Sequence, residues 1–134
     1  MANRTVTVTV ASGTLYIVGG TGNSYFLDGS RPGDFTVDWV KGGTIRFDQS
    51  GSSNDGHPLI FSTSNHTDVV EVRAAIVSSG VTYYLDGASN QTDYTNTTNF
   101  NAATTRYIEI APTSQTDFYF ACWVHGIGMG GIMD

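Results

Sequence analysis

The feature that most constrains this chain is a period-two alternation of apolar and polar residues, repeated in short runs that glycine-containing turn signals interrupt. Thr5 to Val10 alternates strictly, with Val6, Val8 and Val10 on one face, the pattern of a strand with one buried side. Leu15 to Val18 is a second apolar run, closed by Gly19-Gly20. Tyr25-Phe26-Leu27 meets Asp28-Gly29, a pair suited to a two-residue hairpin turn. Phe35, Val37 and Trp39 alternate with Thr36 and Asp38, and Ile45 and Phe47 alternate with Arg46 and Asp48. Tyr83-Tyr84-Leu85-Asp86-Gly87 echoes Tyr25 to Gly29 and predicts a second turn of the same kind; one short echo does not make a repeat architecture. Ile108 and Ile110 form a further inner face, as do Phe118, Phe120 and Cys122.

Charged residues make up 13% of the chain, about half the usual share, and the frequent Thr, Val, Tyr and Phe favour strands. Two stretches read less simply. Asp68 to Val77 is either a strand with Val70, Val72, Ala74 and Ile76 inward or a short helix. Asn90 to Thr105 is polar and rich in Thr and Asn, and is expected to be a long surface loop. No linker is visible. The expected architecture is therefore a single all-β domain over residues 1–134, a sandwich or small barrel of about eight strands.

The net charge is −6, and the six basic residues, Lys41 and five arginines, are scattered. Phosphate binding needs clustered Lys or Arg, so neither nucleic acid nor an anionic membrane surface is an expected partner. The single cysteine forbids an internal disulfide. No apolar run approaches membrane-spanning length, and the N-terminus shows no basic segment followed by an apolar one, so no secretory signal is expected.

The segment that carries chemistry is Cys122-Trp-Val-His125-Gly-Ile-Gly-Met129. A blue-copper site needs two imidazoles and one thiolate in a trigonal set, with a weak axial thioether. One tight, glycine-rich loop can supply Cys122, His125 and Met129. The second imidazole must come from upstream, and His57, extended because Pro58 follows it, is the natural candidate. The same residues admit a plainer reading, in which Cys122 is a small buried hydrophobe, His57 and His125 are loop histidines and Met129 plugs the core. His66 lies in a polar loop and reads as solvated. With three histidines in the chain, the further His clusters of a copper oxidase are missing, and Asp28, Asp55 and Asp86 read as turn residues, so no enzyme is expected. Asn65-His-Thr, Asn90-Gln-Thr and Asn96-Thr-Thr match the short glycosylation pattern, which occurs often by chance.

The run Phe118 to Gly131 resembles the copper loop of plastocyanin and its cupredoxin relatives. The chain is also similar to a cupredoxin-like domain of tailed-phage structural proteins, marine cyanophages especially, at Tyr25 to Gly29, at Phe47-Asp-Gln-Ser-Gly-Ser-Ser-Asn-Asp-Gly-His-Pro-Leu-Ile-Phe-Ser-Thr-Ser64, and at the Cys-His-Met loop. It departs from the pattern in three places. Its His-to-Met spacing is one residue longer than in the phage form and shorter than in plastocyanin. Trp123-Val124 stands where a small polar pair is usual, and Val69 to Ser79 has no counterpart. The resemblance implies a Greek-key cupredoxin-like fold and a virion structural protein. The specific expectation is a small capsid decoration or cement protein, or a tail or fibre component, assembled in the host cytoplasm. The implied partners are the major capsid protein, other virion proteins or further copies of this chain. Thr5 to Val10 could pair with a neighbour and the Asn90 to Thr105 stretch could reach one; the plainer alternative, preferred for the strand and open for the loop, is that each serves this domain alone. The implied cofactor is copper on His57, Cys122, His125 and Met129. The alternative from another functional class is a soluble type 1 copper electron carrier with His125 as its exposed ligand.

Overall fold

The computed structural model describes residues 4–15, 17–30, 44–111 and 118–133. Among these, the chain forms strands β1 (Arg4–Thr14), β2 (Thr21–Leu27), β3 (Ile45–Asp48), β4 (Leu59–Ser62), β5 (Val81–Leu85), β6 (Ala88–Ser89), β7 (Arg106–Ile110), β8 (Phe118–Cys122) and β9 (Gly126–Met133). Three short helices interrupt them, α1 (Val69–Ala74), α2 (Gln91–Thr95) and α3 (Thr97–Ala102). The strands make a six-stranded sheet in the order β2-β1-β3-β7-β5-β6 and a three-stranded sheet in the order β4-β8-β9. All pairings are antiparallel except β1 with β3. The molecule is thus predominantly β in two sheets.

The inner faces of the sheets meet through aromatic rings. Phe47 on β3 sits edge-on to Phe61 on β4 at 5.2 Å, and Tyr25 on β2 lies 6.5 Å from Phe120 on β8. Val6, Val8, Phe47, Ile108 and Ile110 are buried, while the residues between them point outward. The alternation expected for these strands is what the structure shows. Each fully buried aliphatic or Phe side chain contributes about 1.5–3 kcal/mol of transfer free energy.

Both Asp-Gly pairs form the expected turns. Asp28 and Asp86 have φ of 52° and 49°, and Gly29 and Gly87 follow at 80° and 83°, the two successive positive values of a type I′ hairpin turn. The two turns share a further device. Asp28 donates its N–H to the Thr7 carbonyl and accepts from the Thr7 N–H, and Asp86 does the same with Thr105. Each aspartate therefore ties its turn to the neighbouring segment of chain.

Several expectations are corrected. Asn90 to Thr105 is not a long loop: α2 and α3 lie there, N-capped by the side chains of Asn90 and Asn96, which accept from the N–H groups of Asp93 and Asn99. Two of the three glycosylation-like patterns are therefore helix caps, and Tyr94 and Phe100 anchor the helices in the core. Between the two readings of Asp68 to Val77 the helix holds. Asp68 caps α1, and of the inner face expected for a strand only Val72 is fully buried, with Val70 61% exposed. The Leu15 N–H donates to the Gly20 carbonyl and the Gly19 N–H to the Leu15 carbonyl, and Ile17 and Val18 lie in a turn. Strand β1 pairs with β3 through Arg4–Thr7 and with β2 through Val8–Thr14. The alternating run Phe35, Val37 and Trp39 lies outside the described residues. Among the described residues no helix is long and apolar enough to cross a membrane.

Candidate metal centre

The polar segment between β3 and β4 is built around buried hydrogen bonds rather than solvent. Gln49 and Asn54 are both fully buried. Gln49 donates through Nε2 to Asn54 Oδ1 at 3.0 Å and to the His57 carbonyl at 2.9 Å, and its Oε1 accepts from the Leu59 N–H and the Tyr94 hydroxyl. Asn54 donates to the Val8 carbonyl at 2.8 Å. Arg106, 2% exposed, reaches in from β7: its guanidinium donates to the carbonyls of Gln49, Gly51 and Phe100 and to the Asp55 carboxylate at 2.7 Å. The Tyr25 hydroxyl adds a 2.7 Å bond to the His57 carbonyl. A buried network whose members are all satisfied rigidifies its segment, and the segment this one fixes ends in His57.

The opposite side of the site comes from β8 and β9. Cys122 pairs with Leu59 on one side and Gly126 on the other, across a register shift between Phe120 and Cys122. Gly130 lies where a Cβ would fall on the Phe120 carbonyl, so the irregular pairing requires glycine there. Gly126 closes the turn after His125 at φ 81°, a value L side chains rarely adopt. The Trp123 N–H donates to the Pro58 carbonyl at 2.9 Å, which stitches the cysteine loop directly to the histidine loop.

These two loops bring three donor atoms together. Cys122 Sγ is 3.6 Å from His125 Nδ1 and 3.9 Å from His57 Nδ1, and the donor atoms of the three residues lie within 4.8 Å of one another. A sulfur at about 2.3 Å and a nitrogen at about 2.0–2.1 Å from one ion, with angles of about 110–120°, lie about 3.5–3.8 Å apart. The 3.6 Å separation falls in that range and the 3.9 Å separation lies just beyond it, so the three residues could hold a metal ion. The imidazole rings are 4.9 Å apart between centroids. Cys122 is buried, His57 half-buried and His125 exposed. Met129, 3% exposed, lines the same cavity of about 280 Å³ as His57 and His125, together with Leu15, Asn23 and Gly128.

Burial pushes the Cys122 thiol above its ordinary value, against the downward pull of the His125 N–H, the Tyr25 hydroxyl, the Val124 N–H and the Arg73 charge. Burial, and then the neighbouring His125, hold His57 below the ordinary imidazole value. At neutral pH the centre therefore presents an uncharged His57 and a protonated thiol, and an incoming metal ion displaces the thiol proton.

Of the residues singled out in the sequence, His57, Cys122 and His125 converge and Met129 lines their cavity. His66 is exposed and remote in role: its Nδ1 accepts from the Asp68 N–H at 2.9 Å, at the start of α1. Gln49, Asn54 and Arg106 were not legible as site-building residues, because their bonds join segments far apart in the chain. The Arg73 side chain, whose Nε donates to the Trp123 carbonyl at 2.6 Å, was equally hidden. Comparisons with known protein families, curated proteins and solved structures return no match for this chain.

Proposed function

We propose that this chain is a cupredoxin-like domain that binds one copper ion through His57, Cys122 and His125, with Met129 as a weak axial ligand, and that it serves as a structural protein of a tailed-phage virion. The observation that carries the copper reading is the convergence of two imidazole nitrogens and one sulfur at metal-sharing distances. A mixed nitrogen and thiolate set with a thioether nearby suits copper better than it suits magnesium, calcium or manganese. Bound copper would contribute binding free energy to the folded state and tie the loop before β4 to the β8–β9 hairpin, within the three-stranded sheet.

The virion reading rests on the resemblance of Tyr25 to Gly29, Phe47 to Ser64 and the Cys-His-Met loop to phage structural domains. All three segments build this centre. Tyr25 bonds the His57 carbonyl, Gln49 and Asn54 fix the loop, and the third supplies Cys122 and His125. A small capsid decoration or cement protein is the role favoured, with the major capsid protein as partner and no catalytic step. A second reading, a soluble copper electron carrier, is favoured by one observation: His125 is exposed at the cavity mouth, where a redox partner could approach.

Native mass spectrometry after copper loading and dialysis tests the first part. One copper per chain, absent in Cys122→Ser, is expected; a chain that retains none contradicts it. Proteomic analysis of purified particles of the encoding phage tests the second part. The chain is expected at a stoichiometric copy number in particles, and its recovery only from the soluble fraction would favour the electron carrier.

A further inference from the structure

Helix α1 is docked on the loop that carries Cys122 and His125. Two contacts bracket that loop. Val69, at the start of the helix, packs on Gly126, where an added Cβ would meet the Val69 Cβ at 3.4 Å. One turn later Arg73 donates Nε–H to the Trp123 carbonyl at 2.6 Å, and its guanidinium lies 5.0 Å from the centre of the Trp123 ring. Val69 and Arg73 are four residues apart and so share one helix face.

The helix itself is anchored independently of the loop. Val72 is fully buried, its carbonyl accepts from the Ser62 hydroxyl at 2.9 Å, and the Ala75 carbonyl accepts from the Thr63 N–H. Asp68 caps the first turn. Strand β4 therefore holds α1, and α1 holds the loop. Trp123 is gripped from both sides, its N–H by the Pro58 carbonyl and its own carbonyl by Arg73. The chain Pro58–Trp123–Arg73 links the residue after His57 to the residue after Cys122 and ends in a half-buried, fixed positive charge.

We propose that Arg73 is a positioning residue of the metal centre, which fixes the cysteine loop through the Trp123 carbonyl and raises the reduction potential of bound copper by its charge. This rests on the copper reading above. Reduction adds one electron to Cu(II), giving Cu(I) with no bond made or broken, and lowers the net charge of the centre by one. A nearby cation that no counter-ion moves with favours the reduced form. Residues that orient metal ligands from behind typically change metal affinity by about 10–100-fold when removed.

The test compares wild type, Arg73→Gln and Arg73→Lys, each loaded with copper, by visible absorption, competition against a copper chelator and protein-film voltammetry. Both variants keep a hydrogen-bond donor, but only Lys keeps the charge. Arg73→Gln is expected to lower the potential and weaken copper binding by about tenfold, and Arg73→Lys to restore most of the potential. Equal potentials and affinities in wild type and Arg73→Gln overturn the inference while leaving the copper reading intact. Absence of a thiolate–copper band in wild type overturns both. Should Arg73→Gln not fold, the wild-type protein decides by nuclear magnetic resonance. The Arg73 Nε–H signal is expected to exchange slowly with water and to shift on Cu(I) addition, and a rapidly exchanging, unshifted signal overturns the inference.

Discussion

The Gln49 side-chain amide donates to the His57 carbonyl at 2.9 Å while its oxygen accepts from the Leu59 N–H at 2.8 Å. One buried glutamine thus spans the chain on both sides of Pro58 and sets the backbone from which the His57 ring reaches Cys122. A polar group in that position stabilises only because all its partners are present; deleting it leaves buried donors and acceptors unpaired.

Gln49→Leu is therefore expected to destabilise the metal-free protein by about 2–4 kcal/mol, read from urea unfolding. It should also weaken copper binding, since the His57 carbonyl loses one of its two donors and keeps only the Tyr25 hydroxyl. Unchanged stability would show that the buried amide does not hold this segment.

Gly130→Ala tests the irregular pairing of β8 with β9. The new methyl would overlap the Phe120 carbonyl, and backbone cannot yield as a flexible side chain can. A loss of about 3 kcal/mol or more is expected in thermal or urea unfolding. Gly128→Ala, whose Cβ would meet only the Val18 methyl at 3.6 Å, should be far milder. Equal effects at the two positions would contradict the close approach.

Asp86 gives the fold a pH dependence. The N–H groups of Thr105 and Thr104, in that order, hold its carboxyl below the ordinary value of 3.8. A depressed carboxyl adds stability that is present above the unfolded value and is lost as pH falls through the lower folded value. The window therefore lies below about pH 4. Asp86→Asn keeps an accepting oxygen and tolerates the positive φ, but does not titrate. Its unfolding free energy should fall less steeply than that of wild type on the acid limb, and identical slopes would remove Asp86 from the account.

Much of the fold was legible because its signals are local. Val6 and Val8, Phe47, and Ile108 and Ile110 reveal their strands by alternation, and Asp28-Gly29 and Asp86-Gly87 reveal their turns by conformational preference. The Cys122, His125 and Met129 spacing was legible for the same reason, and Pro58 marked His57. What stayed hidden depends on partners distant in the chain. Arg106 reads only as one of five scattered arginines until the carbonyls of Gln49, Gly51 and Phe100 surround it. Asn90 and Asn96 carry a cap signal, but the polar run around them masked the two helices, whose Tyr94 and Phe100 pack only once the sheets exist. Asp68 to Val77 stays open in the sequence because a short valine-rich segment fits a strand as well as a helix, and the Asp68 cap decides for the helix.

Cys122→Ala separates packing from ligation. In metal-free protein it removes a fully buried sulfur and is expected to cost about 1–3 kcal/mol. In the presence of copper the gap should widen, because only wild type gains binding free energy. A gap that copper leaves unchanged would mean that Cys122 serves packing alone.

The most direct measurement is a copper titration of the reduced protein followed by visible absorption, with Cys122→Ser in parallel. An intense thiolate-to-copper band that saturates at one equivalent and vanishes in Cys122→Ser is the predicted result. No band in wild type at any copper concentration would contradict the metal centre and leave His57, Cys122 and His125 as neighbours brought together by the fold alone.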